Sequence, residues 1–413
     1  LKIAYLSRSC FPSTAANSVN VMKMCEAFTA LGHDVLLIGK FAGNNSSDVF
    51  DFYRVKKRFR LKAIPSLDGS ATDVLYVVYS IWEASKFKPD LAYGRSLESC
   101  FGTAILGIPT AYEIHAKPRT LLKRVLLKRL VAMSSFKSLV AITQGLASYL
   151  NREGFVAGEK LFVAHDGADP EDFNASVPPA FLSPRAIARG LLKGCLADAR
   201  HDKEKTVGFE DKARYFQVRF SELPPNRLQV GYVGSLYYGK GMEIISRIVH
   251  LCPWANFHIV GGSEKEIAFW KERCAENSIP PNLVFYGFMP HALISYICSF
   301  LDVALLPAQP FIANVSGNID EIWYVSPLKL FEYMAAGLPI VASDLESLNE
   351  VIEPGVTGLL VPHDDPLAWR DALSFLRDHP EWRAKLGHNA REALVNRFSW
   401  KRRAEKILSG LKW

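Results

Sequence analysis

The sequence predicts an α/β fold in which two doubly wound parallel-sheet domains face each other across a cleft. Three observations predict it. Strand-like and helix-like segments alternate from the first residues; the alternation lapses after about residue 170 and restarts at Leu228; and 413 residues with 49% hydrophobic content suffice for two large cores. Lys2–Ser7 reads as a buried strand, Val19–Leu31 as a helix capped by Ser18 and closed by Gly32, and Asp34–Ile38 as the next strand. Val74–Val78, Leu91–Tyr93, Ile108–Ile114, Leu139–Ile142 and Leu161–Ala164 continue the series and complete a Rossmann-like domain over residues 1–170. The second series comprises Leu228–Val233, the helix Met242–Leu251, Ala255–Val260, Leu283–Tyr286, Val303–Leu306, Ile340–Ala342 and Gly358–Val361, giving a second Rossmann-like domain over 228–395. Residues 171–227, rich in charge after Leu191, read as a linker with a partly helical insertion, and 396–413 as a carboxy-terminal helix.

Composition excludes several classes. The longest apolar runs, such as Thr72–Trp82, fall short of the roughly 18–20 residues of a membrane span. Leu1–Cys10 alternates as a strand does and lacks the basic start and apolar middle of a secretion signal. The seven cysteines are odd in number, widely spaced and without a CxxC pair, which argues against a disulfide framework or zinc site and for a reducing, cytoplasmic setting. The net charge of +7 is unevenly divided: residues 1–170 hold 22 Lys+Arg against 14 Asp+Glu, and the remainder 27 against 28. Two runs concentrate the excess, Arg54–Lys62 and Lys117–Arg129. Such runs meet anionic lipid or phosphorylated acceptors, or are merely solvated; nucleic acid is disfavoured because no stacking aromatic beyond Phe59 interleaves them.

In open parallel sheets, ligands gather at the carboxyl ends of strands, where helix amino ends point. The sharpest signal there is Tyr324–Gly337, YVSPLKLFEYMAAG. Ser326 followed by Pro327 predicts a helix start, with a helix from Leu328 to Ala336 ended by Gly337. Its free N–H groups and Lys329 suit a diphosphate, and Glu332, about one turn on, suits vicinal hydroxyls such as those of ribose. A well-capped structural helix with a surface Glu is the plainer alternative. VGSLYYGKG at Val233–Gly241 offers Gly234, Ser235 and Lys240 as a second anion loop, although it lacks P-loop spacing. In the first domain, the small-residue turn Ser13–Ser18 supplies Ala16, Asn17 and Ser18 for close approach to a ligand but is not GxGxxG. Glu113 and His115 lie at the end of the strand Thr110–Ile114, while His165–Asp169 reads as structural. No HExxH, paired-Asp metal motif or GxSxG elbow occurs.

Taken together, VGYVGSLYYGKG, FHIVGG, LVFYGFM, LDVALLP, SPLKLFEYMAAGLPIVASD and FSWKRRAEKIL in the second half, with YEIH, VAITQGLASYL and VAHDGAD in the first, resemble the retaining nucleotide-sugar glycosyltransferases of family 4, in their SPLKLFEYMAAG form. The resemblance implies a GT-B fold, transfer of a sugar from a UDP- or GDP-linked donor without metal or other cofactor, and a saccharide or lipid-linked acceptor of cell-envelope polysaccharide or glycolipid synthesis. It implies that Lys240 holds the donor diphosphate and Glu332 the ribose. Ser326, Pro327, Leu328 and Lys329 would face phosphate and sugar, and Gly287, Phe288 and Met289 the base. His115 would lie near the transferred sugar, and Ser399–Leu411 would return to the first domain. Ala16, Asn17, Ser18 and Glu113 fall on the acceptor side, whose basic surface would meet an anionic membrane. Departures are Tyr324 where a second sugar-contacting Glu usually stands, Ser235 for an Arg, Ala15–Ala16 for paired glycines, and Pro327 for a glycine N–H donor. A silent sugar-nucleotide-binding partner and a sugar-nucleotide epimerase or phosphorylase on the same fold are the alternatives.

Overall fold

The computed structural model describes residues 1–13, 15–41, 46–64, 71–156, 158–173, 209–275, 278–313 and 319–413. Leu1–Asp166 together with Trp400–Trp413 form one compact unit, and residues 167–173 with 209–399 form the second.

In the first unit the apolar runs become β1 (Lys2–Phe11), β2 (Asp34–Phe41), β3 (Arg60–Ile64), β4 (Leu91–Gly94), β5 (Thr110–Ile114), β6 (Phe136–Ala141) and β7 (Leu161–Val163). They pair in the order β3-β2-β1-β4-β5-β6-β7, every pair parallel. Strands β4 and β5 are buried along their whole length, as expected of strands covered on both faces. The order reverses beside β1, so the loops after β1 and β4 open the crevice where such sheets bind ligands.

Three sequence expectations are corrected here. Val74–Val78 lies inside the helix Ala71–Phe87, which buries Tyr76, Ser80, Glu83 and Ala84 at helical spacing. The third strand is instead Arg60–Ile64, an edge strand inside a basic run, where little burial leaves no apolar alternation to read. The first helix begins at Ala16 with Ala15 as N-cap and no side-chain cap; the Ser18 hydroxyl donates to the Cys10 carbonyl at 3.1 Å.

The second unit holds β8 (Leu228–Val233), β9 (Ala255–Val260), β10 (Leu283–Gly287), β11 (Val303–Leu306), β14 (Ile340–Ser343) and β15 (Leu359–Val361), in the parallel order β10-β9-β8-β11-β14-β15. Its switch point lies between β8 and β11. An unanticipated antiparallel hairpin, β12 (Phe311–Ala313) and β13 (Ile319–Glu321), follows β11. Within the stretch read as linker and insertion, Phe209–Ser221 is a helix whose Phe216 packs on Tyr286 at 4.7 Å between ring centroids; Cys195 and its neighbours to residue 208 lie outside the described residues. The helix Leu328–Ala336 has the expected bounds, but its N-cap is Pro327 rather than Ser326, and the proline side chain offers no capping hydrogen bond. The tail comprises the helix Pro380–Ala393, a π-helical turn Leu394–Phe398 and the helix Trp400–Gly410. Among the described residues no helix is long and apolar enough to cross a membrane, no three His, Cys, Asp or Glu are grouped to hold a metal, and Cys25, Cys100, Cys252, Cys274 and Cys298 form no disulfide.

Candidate functional site

At the carboxyl end of β8, backbone approaches backbone. The Gly234 N–H donates to the Val260 carbonyl and the Gly261 N–H to the Gly287 carbonyl, each at 2.8 Å. Gly261 has φ +117°, and a Cβ there would overlap the Gly234 carbonyl oxygen, so only glycine fits. The following loop is folded around Glu243, whose carboxylate accepts from the N–H groups of Gly239 (2.5 Å) and Gly241 (3.1 Å). Gly241, at φ +118°, is the N-cap of the helix Met242–Leu251. Lys240 is thereby placed at the switch point, and among the described residues its ammonium has no hydrogen-bond or carboxylate partner; burial lowers its pKa.

A second ammonium joins it. Lys329, in the first turn of the helix Leu328–Ala336, donates to the Tyr232 hydroxyl at 2.8 Å and lies 4.1 Å from the centre of that ring. The Tyr232 hydroxyl in turn donates to the Ser235 carbonyl at 2.7 Å. A Cβ on Gly234 would overlap Lys329 Nζ. Burial first, then the charge of Lys240, hold Lys329 well below the ordinary lysine pKa, with Glu332 opposing. No acidic residue stands in that first turn. Two neighbouring lysines at a helix amino end whose first turn carries no acidic residue make an anion site. Ser235, which replaces an expected arginine, is exposed; the second positive charge comes from Lys329 instead.

Glu332 lies one turn along the same helix, mostly buried, with Oε1 at 2.6 Å from His291 Nε2. His291 escaped the sequence reading; its only signal was its place just past Gly287-Phe288-Met289 in the loop after β10. Of those three, Gly287 turns the chain at φ +70°, Phe288 is exposed, and Met289 is buried. Ser326, Pro327 and Leu328 are partly exposed ahead of the helix.

The first unit carries its own polar cluster at the ends of β1, β4 and β5. Glu113 is fully buried: Oε1 meets His115 Nε2 at 2.5 Å, and Oε2 accepts from Tyr93 and, at 3.0 Å, from Arg403 Nη1. Burial alone would raise the Glu113 carboxyl, but Arg403, then His115 and Arg95, hold it well below the usual carboxylate range. Arg95 Nη2 lies 2.9 Å from His115 Nδ1 and its Nη1 donates to the Asn17 carbonyl at 3.2 Å. Burial and then Arg95 lower the His115 pKa, against the pull of Glu113 and Asp166. Asn17 and Ala16 are exposed, whereas Ser18 is buried against β1. Arg95 and Arg403 were also missed. Arg403 had a signal: with Trp400, Ala404 and Ile407 it forms the buried stripe of its helix, a charge on an apolar face.

Comparison with known proteins bears on both units. Residues 227–379 match the family model of the group 1 glycosyl transferases. That match lies within the second unit. A D-inositol 3-phosphate glycosyltransferase of Corynebacterium efficiens is 39% identical over 208 residues, 48% of this chain and 46% of the relative. The alpha-D-kanosaminyltransferase of Streptomyces kanamyceticus is 24% identical over 308 residues, 71% of this chain and 68% of the relative. The chain thus spans less than half the length of the inositol phosphate enzyme it matches. Among solved structures, Anabaena HepE in complex with UDP superposes with a TM-score of 0.67 at 16% identity, covering 99% of both chains. With two parallel-sheet α/β units, this likeness establishes the GT-B fold, and the Lys240–Lys329 pair lies at the switch point of the second sheet.

Proposed function

We propose that the chain is a retaining, metal-independent family 4 glycosyltransferase that moves a sugar from a nucleotide donor, UDP-linked or GDP-linked, to a saccharide or lipid-linked acceptor of cell-envelope polysaccharide or glycolipid synthesis. The observation that carries the reading is the nearness of Lys240 to Lys329, whose ammonium lies against Gly234, at a helix amino end with no acidic residue in its first turn. As the bond from the sugar's anomeric carbon to the diphosphate oxygen breaks, negative charge grows on the departing phosphate, and two preorganised ammonium groups stabilise it there. The acceptor hydroxyl attacks from the same face and its proton passes to the leaving phosphate, so no carboxylate pair of the glycosidase kind is needed. Glu332 is then a binding residue for the ribose hydroxyls, with His291 holding its carboxylate in place, and Gly287 and Phe288 flank the base. His115 serves the transferred sugar, and Ala16 and Asn17 face the acceptor. That HepE was solved with UDP makes UDP the first nucleotide to test.

Lys240→Ala and Glu332→Ala should each cut transfer from UDP-glucose or the matching donor by on the order of 10²-fold. Near-normal rates for both would defeat the site assignment. Product analysis with the intact donor separates glycosyl transfer from epimerisation or phosphorolysis, and absence of any turnover despite UDP binding would favour a silent binding partner.

A further inference from the structure

Arg403 is the foremost of the groups that hold Glu113 charged in the first unit, and Glu113 in turn grips His115. Arg403 is 2% exposed, and every branch of its guanidinium is engaged. Nε donates to the His165 carbonyl at 2.8 Å, Nη2 to the Ala164 carbonyl at 3.3 Å, and Nη1 to Glu113 Oε2 at 3.0 Å. Asp166 Oδ1 lies 3.7 Å from Nη2 and also accepts from Asn20 Nδ2 at 2.6 Å. A planar guanidinium held at Nε and Nη2 presents its Nη1 to Glu113 in one fixed direction. The carboxylate it grips has its other oxygen on His115 Nε2. On the far side of the ring, Nδ1 faces Arg95, a group that donates and never accepts. Nδ1 must therefore be bare and Nε2 must carry the proton.

We propose that Arg403 is a positioning residue for the transfer site: by clamping Glu113 it locks His115 into one tautomer and one ring orientation. This rests on His115 serving the transfer site, as read above. The charged groups facing His115 are Arg95 from the loop after β4, Glu113 from β5, Asp166 after β7, and Arg403 from the helix Trp400–Gly410 acting through Glu113. Burial and Arg95 keep the imidazole from taking a second proton. Replacing the fork by a single ammonium loosens Glu113, which then draws a proton onto the ring more easily.

Two measurements on the full chain test the inference. In protein labelled with 15N-histidine, with His115→Gln identifying the signals, His115 should show a protonated Nε2 and bare Nδ1 that persist below the ordinary imidazole midpoint of about 6.5. A wild-type His115 that titrates at that ordinary midpoint, or that carries its proton on Nδ1, overturns the proposal. In steady-state transfer, Arg403→Lys should lose kcat by roughly 10–100-fold with donor KM within about twofold, and the acid limb of its pH profile should move to higher pH. Folded Arg403→Lys with wild-type kcat and acid limb, or with a loss that leaves the His115 titration unmoved, also overturns it. Should that variant not fold, the wild-type spectrum decides. A thermal shift with UDP separates the failures: no response in wild type defeats the donor-site reading, whereas a normal response with a freely titrating His115 defeats this inference alone.

Discussion

Lys329 is placed where its charge is unwelcome until an anion arrives. It is half-buried, has a hydroxyl rather than a carboxylate as its hydrogen-bond partner, and stands near Lys240. Because its folded pKa lies below the unfolded one, the unfolded chain binds the proton more readily. Lys329 therefore weakens the fold below the ordinary lysine value of about 10.4, and stability rises as pH climbs through that window. Lys329→Met should accordingly stabilise the ligand-free protein by about 1 kcal/mol in thermal or urea unfolding while losing its response to UDP. In the wild type, a bound diphosphate should raise the Lys329 pKa, so UDP binding takes up protons and weakens as pH rises. Calorimetry in buffers of different ionisation enthalpy measures that uptake, and equal apparent enthalpies in all of them would contradict it. Gly261→Ala should cost about 1–3 kcal/mol, because its Cβ meets the Gly234 carbonyl and its φ is positive. Glu113 works with the opposite sign to Lys329: its depressed pKa contributes stability above the ordinary carboxylate range that is lost as pH falls below it. Arg403→Ala removes the foremost counter-charge of that buried carboxylate and should cost about 3–5 kcal/mol in urea unfolding.

Among elements, those legible in the sequence are the ones whose ends are chemically marked. Pro327 and Gly337 bound the helix Leu328–Ala336 because one ring fits a first turn and one glycine accepts φ +69°. Val74–Val78 was misread because a run of valines and tyrosine carries strand propensity, and tertiary burial at every third or fourth position overrode it. The helix Leu121–Ala132 has its own consequence. Leu127 and Leu130 are its buried residues, while Leu121, Leu122 and Val125 are exposed alongside Lys123, Lys128 and Arg129. Arg129 shares this outer face with the leucines. Such a face suits the interface of an anionic bilayer, each nearby cation contributing about 1 kcal/mol. Vesicles containing phosphatidylglycerol should sediment the protein at low salt, and the double variant Leu121→Ser/Leu122→Ser should stay in solution. Equal sedimentation of both, or of neither, would contradict the assignment.

For the whole molecule, the restart of the strand–helix alternation at Leu228 falls at the first strand of the second sheet, and the excess of positive charge lies before residue 170. The candidate residues of the second unit were easy to single out because they fall in two short segments, Gly234–Lys240 and Ser326–Glu332. What escaped were partners joined only by topology: His291 meets Glu332 across 41 residues, and Arg403 meets Glu113 across 290. No local pattern encodes such pairs, although a lone charge in a buried stripe announces that one exists. The account as a whole stands on the anion site at the β8–β11 switch point. Its most direct test is the thermal unfolding of wild type and Lys240→Ala across a UDP series. Saturation at about 100 times Kd should stabilise the wild type by about 2.7 kcal/mol, and the variant should show little or no shift. A wild type indifferent to UDP, GDP and ADP alike, or a Lys240→Ala protein that responds as the wild type does, would contradict it.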